Sequence, residues 1–270
     1  MTAGTPPSVT RVGWSASVLL ALVRAEYRKT VSTATWWALL VPAALLCWLV
    51  GLVTAKAGGL GFTVPVTQAL SLASFGSKFA AIFGVVCASA EFRHRTITTS
   101  YLTAPGRPQL LVAKAALAGG VGVAYALACS VAGVIGVMMG GASVADDGDI
   151  TLGVSAVSLA LFLLWAVLGV GLGALLANQL TAIIGLLVYL VLVEQLVSGF
   201  ASLSDLGRVQ DFLPGGAASA SLTNLAASSG LGEVLTAALP PWWVSLLIFF
   251  GYTLAVFTAG MLVSQARDIT

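Results

Sequence analysis

A polar, basic stretch between two long apolar segments contains the residues of this chain that are best suited to chemistry. Its ionisable and hydroxyl side chains include Glu91, Arg93, His94, Arg95, Thr96 and Arg107. Only 8% of the residues in the chain are charged, so a concentration of charge in one hairpin predicts a working surface. Such side chains suit ion pairs with a partner protein or contacts with anionic lipid headgroups.

Two further ionisable residues, Lys78 and Glu194, lie inside apolar segments. Lys78 is 13 residues before Glu91, and Glu194 is 13 residues after Thr181. At 1.5 Å per helical residue, both lie about 20 Å from the same membrane boundary. This shared depth permits an ion pair across two helices, which would offset the cost of two buried charges. Alternatively, each side chain extends to the nearer lipid headgroups.

The sequence predicts no metal site and no catalytic cluster. His94 is the only histidine, and no cysteine or second histidine lies near it, as a zinc or iron site would require. Cys47, Cys87 and Cys129 fall in separate apolar segments and are interpreted as small buried hydrophobic residues. No nucleophile, base and metal ligand converge at one depth, so we do not expect an enzyme.

The chain also lacks a nucleotide-binding loop of its own, because no Gly-x-x-x-x-Gly-Lys-Ser/Thr motif occurs. Gly169, Gly171 and Gly173 resemble a dinucleotide fingerprint only superficially, since no strand precedes them. We interpret them, together with Gly136 and Gly140, as small residues that allow close helix packing. The chain is therefore expected to bind no cofactor.

Composition and hydropathy place these residues in an all-α integral membrane protein. Of the 270 residues, 59% are hydrophobic, and the mean hydropathy is +1.02. A span needs roughly 20 apolar residues to cross about 30 Å of hydrocarbon, and the backbone there must be helical. Six such windows occur, at about residues 36–55, 66–90, 111–139, 152–177, 181–199 and 242–263.

The distribution of Lys and Arg predicts that both termini are cytoplasmic. With both ends on one side, that side has nine basic residues: Arg11, Arg24, Arg28, Lys29, Arg93, Arg95, Arg107, Lys114 and Arg267. The opposite side has two, Lys56 and Arg208. Residues 1–34 and 264–270 are then cytoplasmic tails, 35–263 form the membrane domain, and 91–110 form a cytoplasmic hairpin. The expected location is the plasma membrane, in a bacterium the inner membrane.

The segment before the first span is predicted to be an amphipathic helix at the inner interface. Leu20, Val23, Tyr27 and Val31 share one helical face, whereas Arg28, Lys29 and Thr33 lie opposite. An exposed cytoplasmic tail is the alternative. The apolar run there is too short for a cleavable signal.

The segment of residues 200–241, on the outer side, is too long for a simple turn. Leu213-Pro214-Gly215-Gly216 is a helix start signal, and residues 217–227 are predicted to form a short helix.

In this order and spacing, the chain resembles the permease subunits of type-2 ATP-binding-cassette exporters. The likeness rests on residues 24–29 (RAEYRK), 91–97 (EFRHRTI), 102–107 (LTAPGR) with Lys114, 175–182 (LLANQLTA) before Glu194, and 267–270 (RDIT). Arg95 departs from the pattern, because many members have glycine there. The resemblance covers nearly the whole chain.

The resemblance implies an exporter half that works with a second permease, identical or related, and with two copies of a P-loop ATPase that binds ATP and Mg²⁺. It assigns residues 24–29, among them Arg24, Glu26, Arg28 and Lys29, to an elbow helix. The hairpin becomes a coupling helix that fits into the ATPase, with Arg93, His94 and Arg95 for docking and Glu91 fixing its base. It also implies that the outer short helix dips into the outer leaflet, although a surface helix is equally compatible with the sequence.

Three functions remain open from the sequence. The first is ATP-driven export of a hydrophobic or amphipathic molecule. The second is secondary transport coupled to protons or sodium, with Lys78 and Glu194 as the relay; the expectation of few broken helices and few polar groups at the midplane counts against it. The third is a membrane scaffold or immunity protein. The lipid bilayer is a partner in all three, and nucleic acid in none.

Overall fold

The computed structural model describes residues 16–59, 61–93, 106–146, 148–203, 209–227 and 240–266, with only the backbone at 91–93, 107, 149, 202 and 227. Six helices in these ranges are long and apolar enough to cross a membrane. They are Thr35–Gly58, Val66–Ala90, Pro108–Met139, Ile150–Leu176, Gln179–Ala201 and Trp242–Ala266, called spans 1 to 6 below. The predicted windows agree with these bounds to within three residues, because apolar length determines what fits the hydrocarbon.

Four spans are single helices: α2 (Thr35–Gly58), α5 (Arg107–Met139), α6 (Asp149–Leu176) and α10 (Trp242–Ala266). Span 2 consists of α3 (Val66–Ala73), a 3₁₀ turn (Ser74–Gly76) and α4 (Ser77–Arg93). Span 5 consists of α7 (Gln179–Val188), a π-helical segment (Tyr189–Val193) and α8 (Glu194–Leu203). The sequence predicted few broken helices, whereas spans 2 and 5 each contain an irregular segment. Both irregular segments lie next to an intramembrane charge, Lys78 or Glu194.

Span 4 is the most enclosed helix and packs against spans 2, 3 and 6. Its glycines let neighbouring backbones approach, as predicted. A Cβ at Gly169 would lie 2.0 Å from the carbonyl oxygen of Ala81, and one at Gly136 of span 3 would lie 2.1 Å from that of Trp48 in span 1. Their interpretation as packing residues is confirmed.

Two helices outside the spans lie where the sequence predicted short helices, and the position of the first at a membrane interface stays a prediction. The first, α1 (Ala16–Ser32), precedes span 1 and packs mainly against α5. The second, α9 (Pro214–Ala227), lies between spans 5 and 6 and packs against α6 and α10. Leu20, Tyr27 and Val31 on the predicted apolar face of α1 are exposed at the surface of the chain.

A two-stranded parallel pairing that the sequence did not predict joins the loops after spans 1 and 3. Strand β1 (Thr63–Pro65) pairs with β2 (Ser143–Ala145), with Val64 opposite Val144. The hydroxyl groups of Thr63 and Ser143 lie 3.0 Å apart. Three residues per strand give no readable alternation of polar and apolar positions, so the pattern rules for strands could not find them.

Candidate functional site

The first candidate site is a buried ion pair between helix α1 and span 3. Lys114 lies seven residues into α5 and places its Nζ 2.9 Å from Oε2 of Glu26. The side chains are only 4% and 6% exposed, respectively. The other carboxylate oxygen of Glu26, Oε1, accepts from Lys29 Nζ at 3.0 Å. Glu26 is thus held between two cations, one buried and one at the surface.

Lys114 also connects this pair to the end of span 2, because its Nζ donates to the backbone oxygen of Cys87 at 3.3 Å. One ammonium group of span 3 therefore contacts two other elements, the helix before span 1 and the end of span 2. Spans 2 and 3 are the two helices joined by the polar hairpin. We call Glu26, Lys29, Lys114 and the carbonyl of Cys87 the elbow clamp.

The structure places the predicted hairpin residues only in part. The backbone of Glu91 and Arg93 ends α4, and that of Arg107 begins α5. Their side chains, and all of His94, Arg95 and Thr96, lie outside the described residues. The docking role of the hairpin therefore stays a prediction.

Among the predicted elbow residues, Glu26 is buried, whereas Arg24, Arg28 and Lys29 are exposed. The sequence marked Glu26 and Lys114 separately and did not predict that they pair. A usable signal was present: Lys114 lies within the predicted apolar window that begins at residue 111, where an ammonium group needs a partner.

The second candidate site is a polar cleft of about 550 Å³ among span 2, span 5 and α9. Lys78 and Glu194 both line it, together with Asp211, Gln195 and Asn224. The structure thus brings the two intramembrane charges to one cavity. Within the described residues, however, no direct ion pair joins them.

Each of the two charges has another contact. The Nζ of Lys78 lies 4.0 Å from the centroid of the Trp165 ring, a cation–π arrangement. Glu194 Oε1 accepts from the backbone N–H of Gly216 at 2.8 Å, in the first turn of α9. A carboxylate there is favoured by the unpaired N–H groups and the positive end of the helix dipole.

The Gly215-Gly216 pair makes this contact possible. A Cβ at Gly215 would lie 2.2 Å from Oε2 of Glu194, and one at Gly216 would lie 1.8 Å from the backbone oxygen of Gln210. The sequence identified these glycines only as a helix start signal. Their second role, to let Glu194 approach the backbone, depends on packing between distant segments and has no local signature.

The described residues contain no group of three or more His, Cys, Asp or Glu side chains that could hold a metal ion. The three cysteines are free thiols, and Cys47 donates to the carbonyl oxygen of Ala73 at 3.2 Å. No protein-family model matches the sequence, and no curated protein is significantly similar to it. The structure supports a multi-pass membrane protein with two polar sites, one beside the middle of span 2 and one toward the end of that span.

Proposed function

We propose that this chain is the permease subunit of an ATP-binding-cassette exporter, which moves a hydrophobic or amphipathic molecule using ATP hydrolysed by a separate subunit. The resemblance in sequence is the starting point. Six candidate spans, a helix before the first of them, and the lack of a nucleotide-binding loop in the sequence are compatible with it.

The observation that carries the proposal is the elbow clamp. A hairpin that receives force from a soluble ATPase has to transmit it to the spans as a rigid unit. Lys114 ties α1 to both spans at the base of that hairpin, through Glu26 and the carbonyl of Cys87. A buried, paired charge resists separation, because each partner left alone would carry an uncompensated desolvation cost.

Co-purification tests the assembly. The chain is expressed in its native host with one affinity tag, and any P-loop ATPase that it retains after membrane solubilisation is identified and quantified by mass spectrometry. We expect stoichiometric retention. A permease that retains no ATPase under conditions where its own spans remain folded would contradict the proposal.

Charge reversal tests the docking role of the hairpin. The double substitution Arg93→Glu and Arg95→Glu is expected to reduce ATPase retention and abolish transport, since two cations facing the ATPase become anions. The matched control is Lys56→Glu, a charge reversal in the last turn of span 1. It should leave ATPase retention and transport unchanged. Normal assembly and transport in the double variant would remove the hairpin from the interface.

One observation favours ion-coupled secondary transport as a second candidate. Lys78 and Glu194 line one polar cleft, and irregular helix segments lie beside both of them, as is common in such transporters. Reconstituted vesicles separate the two functions. Uptake driven by a proton or sodium gradient without ATPase would favour the second candidate, whereas strict dependence on the ATPase would favour the first.

A further inference from the structure

The polar cleft adjoins a second, apolar cleft of about 420 Å³ formed by spans 4, 5 and 6. Its lining includes Trp165, Leu172, Gly185, Tyr189, Leu190 and Val256. Leu190 lines both clefts, and Pro214 of the apolar cleft is followed by Gly215 of the polar one. Trp165 contributes to the apolar wall and carries Lys78 over its ring. The two clefts are therefore neighbours, one polar and one apolar.

Lys78 is the cation among the described residues that line the polar cleft, and none of these residues uses its hydrogen-bond donors. An ammonium group has three donors, yet no described residue accepts a hydrogen bond from Nζ of Lys78; its contact is the Trp165 ring. A cation that is partly withdrawn from water is stabilised by an anionic acceptor.

Glu194 lines the same cleft, but no hydrogen bond or ion pair joins its carboxylate to Lys78 within the described contacts; its Oε1 accepts from the N–H of Gly216. Asn224 lines the same cleft and donates through Nδ2 to the backbone oxygen of Pro240 at 2.7 Å. Its Oδ1 is enclosed and has no hydrogen-bond partner, and an anionic group, which carries no donor, would not supply one. The cleft thus contains a cation with no hydrogen-bond acceptor among the described residues, which points to a bound anionic group.

We propose that the two clefts form one binding site, within a single chain, for an amphipathic molecule with an anionic headgroup and one apolar chain. The headgroup, a carboxylate, phosphate or sulfate, lies against Lys78, and the apolar chain lies beside Gly185 and Leu190. Both volumes fall in the range of about 300–1,000 Å³ typical of ligand sites. The inference rests on the proposed function, since it names the class of molecule to be exported.

Binding to the purified permease in nanodiscs of neutral phosphatidylcholine tests the site without the ATPase. A fluorescent dodecanoate is the probe, and dodecanoate, dodecanol and dodecyltrimethylammonium are competitors, with empty nanodiscs to correct for partition into lipid. Dodecanoate should displace the probe at a concentration about tenfold or more below that of dodecanol, as one charge-assisted hydrogen bond provides. Equal displacement by all three would overturn the proposal.

Variants assign each half of the site. Lys78→Met removes the charge at similar length and should weaken dodecanoate binding about tenfold with little effect on dodecanol. Lys78→Arg should retain the preference for dodecanoate, and Lys56→Met is the control, because Lys56 lines neither cleft. Unchanged dodecanoate affinity in Lys78→Met would exclude the headgroup position.

Gly185→Leu tests the apolar half of the site. The variant should still fold, because a Cβ at Gly185 meets no atom within 4 Å. The added side chain should occupy the apolar cleft and weaken binding of every dodecyl competitor, whatever its headgroup. Gly120→Leu is the matched control, since Gly120 also has open space and lines neither cleft. Equal binding by the two variants would exclude the tail position.

A structural membrane lipid is the other source of an anionic amphipath, and nanodiscs containing phosphatidylglycerol distinguish it. A single-chain site should keep its affinity for the probe there, whereas displacement of the probe by phosphatidylglycerol would overturn the single-chain assignment. ATPase retention with no probe binding would defeat this inference alone. Probe binding with no ATPase retention would defeat the proposed function and leave the site in place.

Discussion

At the scale of single residues, Glu26 shows how a local pattern and a tertiary contact can assign different roles to one side chain. On the helical wheel it is one of several charges in a basic stretch, and exposure would be the default. In the fold it is buried between Lys29 and Lys114. The two ion pairs differ in the exposure of the lysine: the side chain of Lys29 is 49% exposed, and that of Lys114 is 4% exposed.

This difference predicts unequal effects for two equivalent substitutions. Lys114→Met leaves the Glu26 carboxylate buried with one partner fewer and should destabilise the protein by about 3–5 kcal/mol, typical of breaking a buried pair. Lys29→Met removes a largely exposed cation and should cost about 0–1 kcal/mol. Thermal unfolding of both variants in the same detergent measures the difference. Equal losses would contradict the assignment of Lys114 as the dominant partner.

The double variant Glu26→Gln with Lys114→Met provides the control for this argument. If the pair acts as a unit, the neutral amide should restore part of the stability lost in Lys114→Met, because no uncompensated carboxylate remains. Additive losses from the two substitutions would mean that Lys114 acts mainly through the carbonyl of Cys87.

At the scale of elements, the spans were predictable and their irregularities were not. Hydropathy located all six candidate spans, because the length of an apolar helix is set by the thickness of the hydrocarbon. The π-helical segment before Glu194, where the N–H of Glu194 donates to the oxygen of Tyr189 five residues back, has no sequence rule to predict it. The pairing of Thr63–Pro65 with Ser143–Ala145 joins loops far apart in sequence.

In the polar cleft, too, the depth of the charged residues was predictable from the sequence, but their contact partners were not. Counting helical rise predicted that Lys78 and Glu194 share a depth, and they do line one cavity. An ion pair was one of two predicted outcomes, and the described contacts are instead to Trp165 and to the first turn of α9. Those partners belong to other helices, so no count along a single span could identify them.

Close packing of spans 2 and 4 gives a prediction for two matched glycines. Gly169→Ala places a methyl group against the carbonyl oxygen of Ala81, so the helices must separate, at a cost of about 1–3 kcal/mol. Gly120→Ala meets no atom within 4 Å and should stabilise its helix by up to about 1 kcal/mol, because alanine is the better helix former. Opposite shifts in unfolding temperature are expected; a loss in Gly120→Ala would contradict the open space there.

At the scale of the whole molecule, the two polar sites lie at different depths in the membrane domain. The elbow clamp lies near the start of span 3, and the polar cleft is lined by the middle of span 2, by span 5 and by α9. If the hairpin end is cytoplasmic, force from an ATPase enters at the clamp and the cleft lies deeper in the membrane. The positions of the two sites in the proposed transport cycle therefore depend on the orientation of the chain.

Single cysteines at the two ends of span 1 test that orientation. Lys56→Cys lies in the last turn of α2, and Ser32→Cys ends α1, just before α2 begins; both positions are exposed. With nine basic residues predicted on one side and two on the other, the side richer in Lys and Arg should be cytoplasmic. A membrane-impermeant maleimide applied to intact cells should label Lys56→Cys, and Ser32→Cys only after lysis. The wild-type chain is the blank, because its three cysteines lie within the spans. Labelling of Ser32→Cys in intact cells, with Lys56→Cys protected, would reverse the orientation and place the basic hairpin where no cytoplasmic ATPase could reach it.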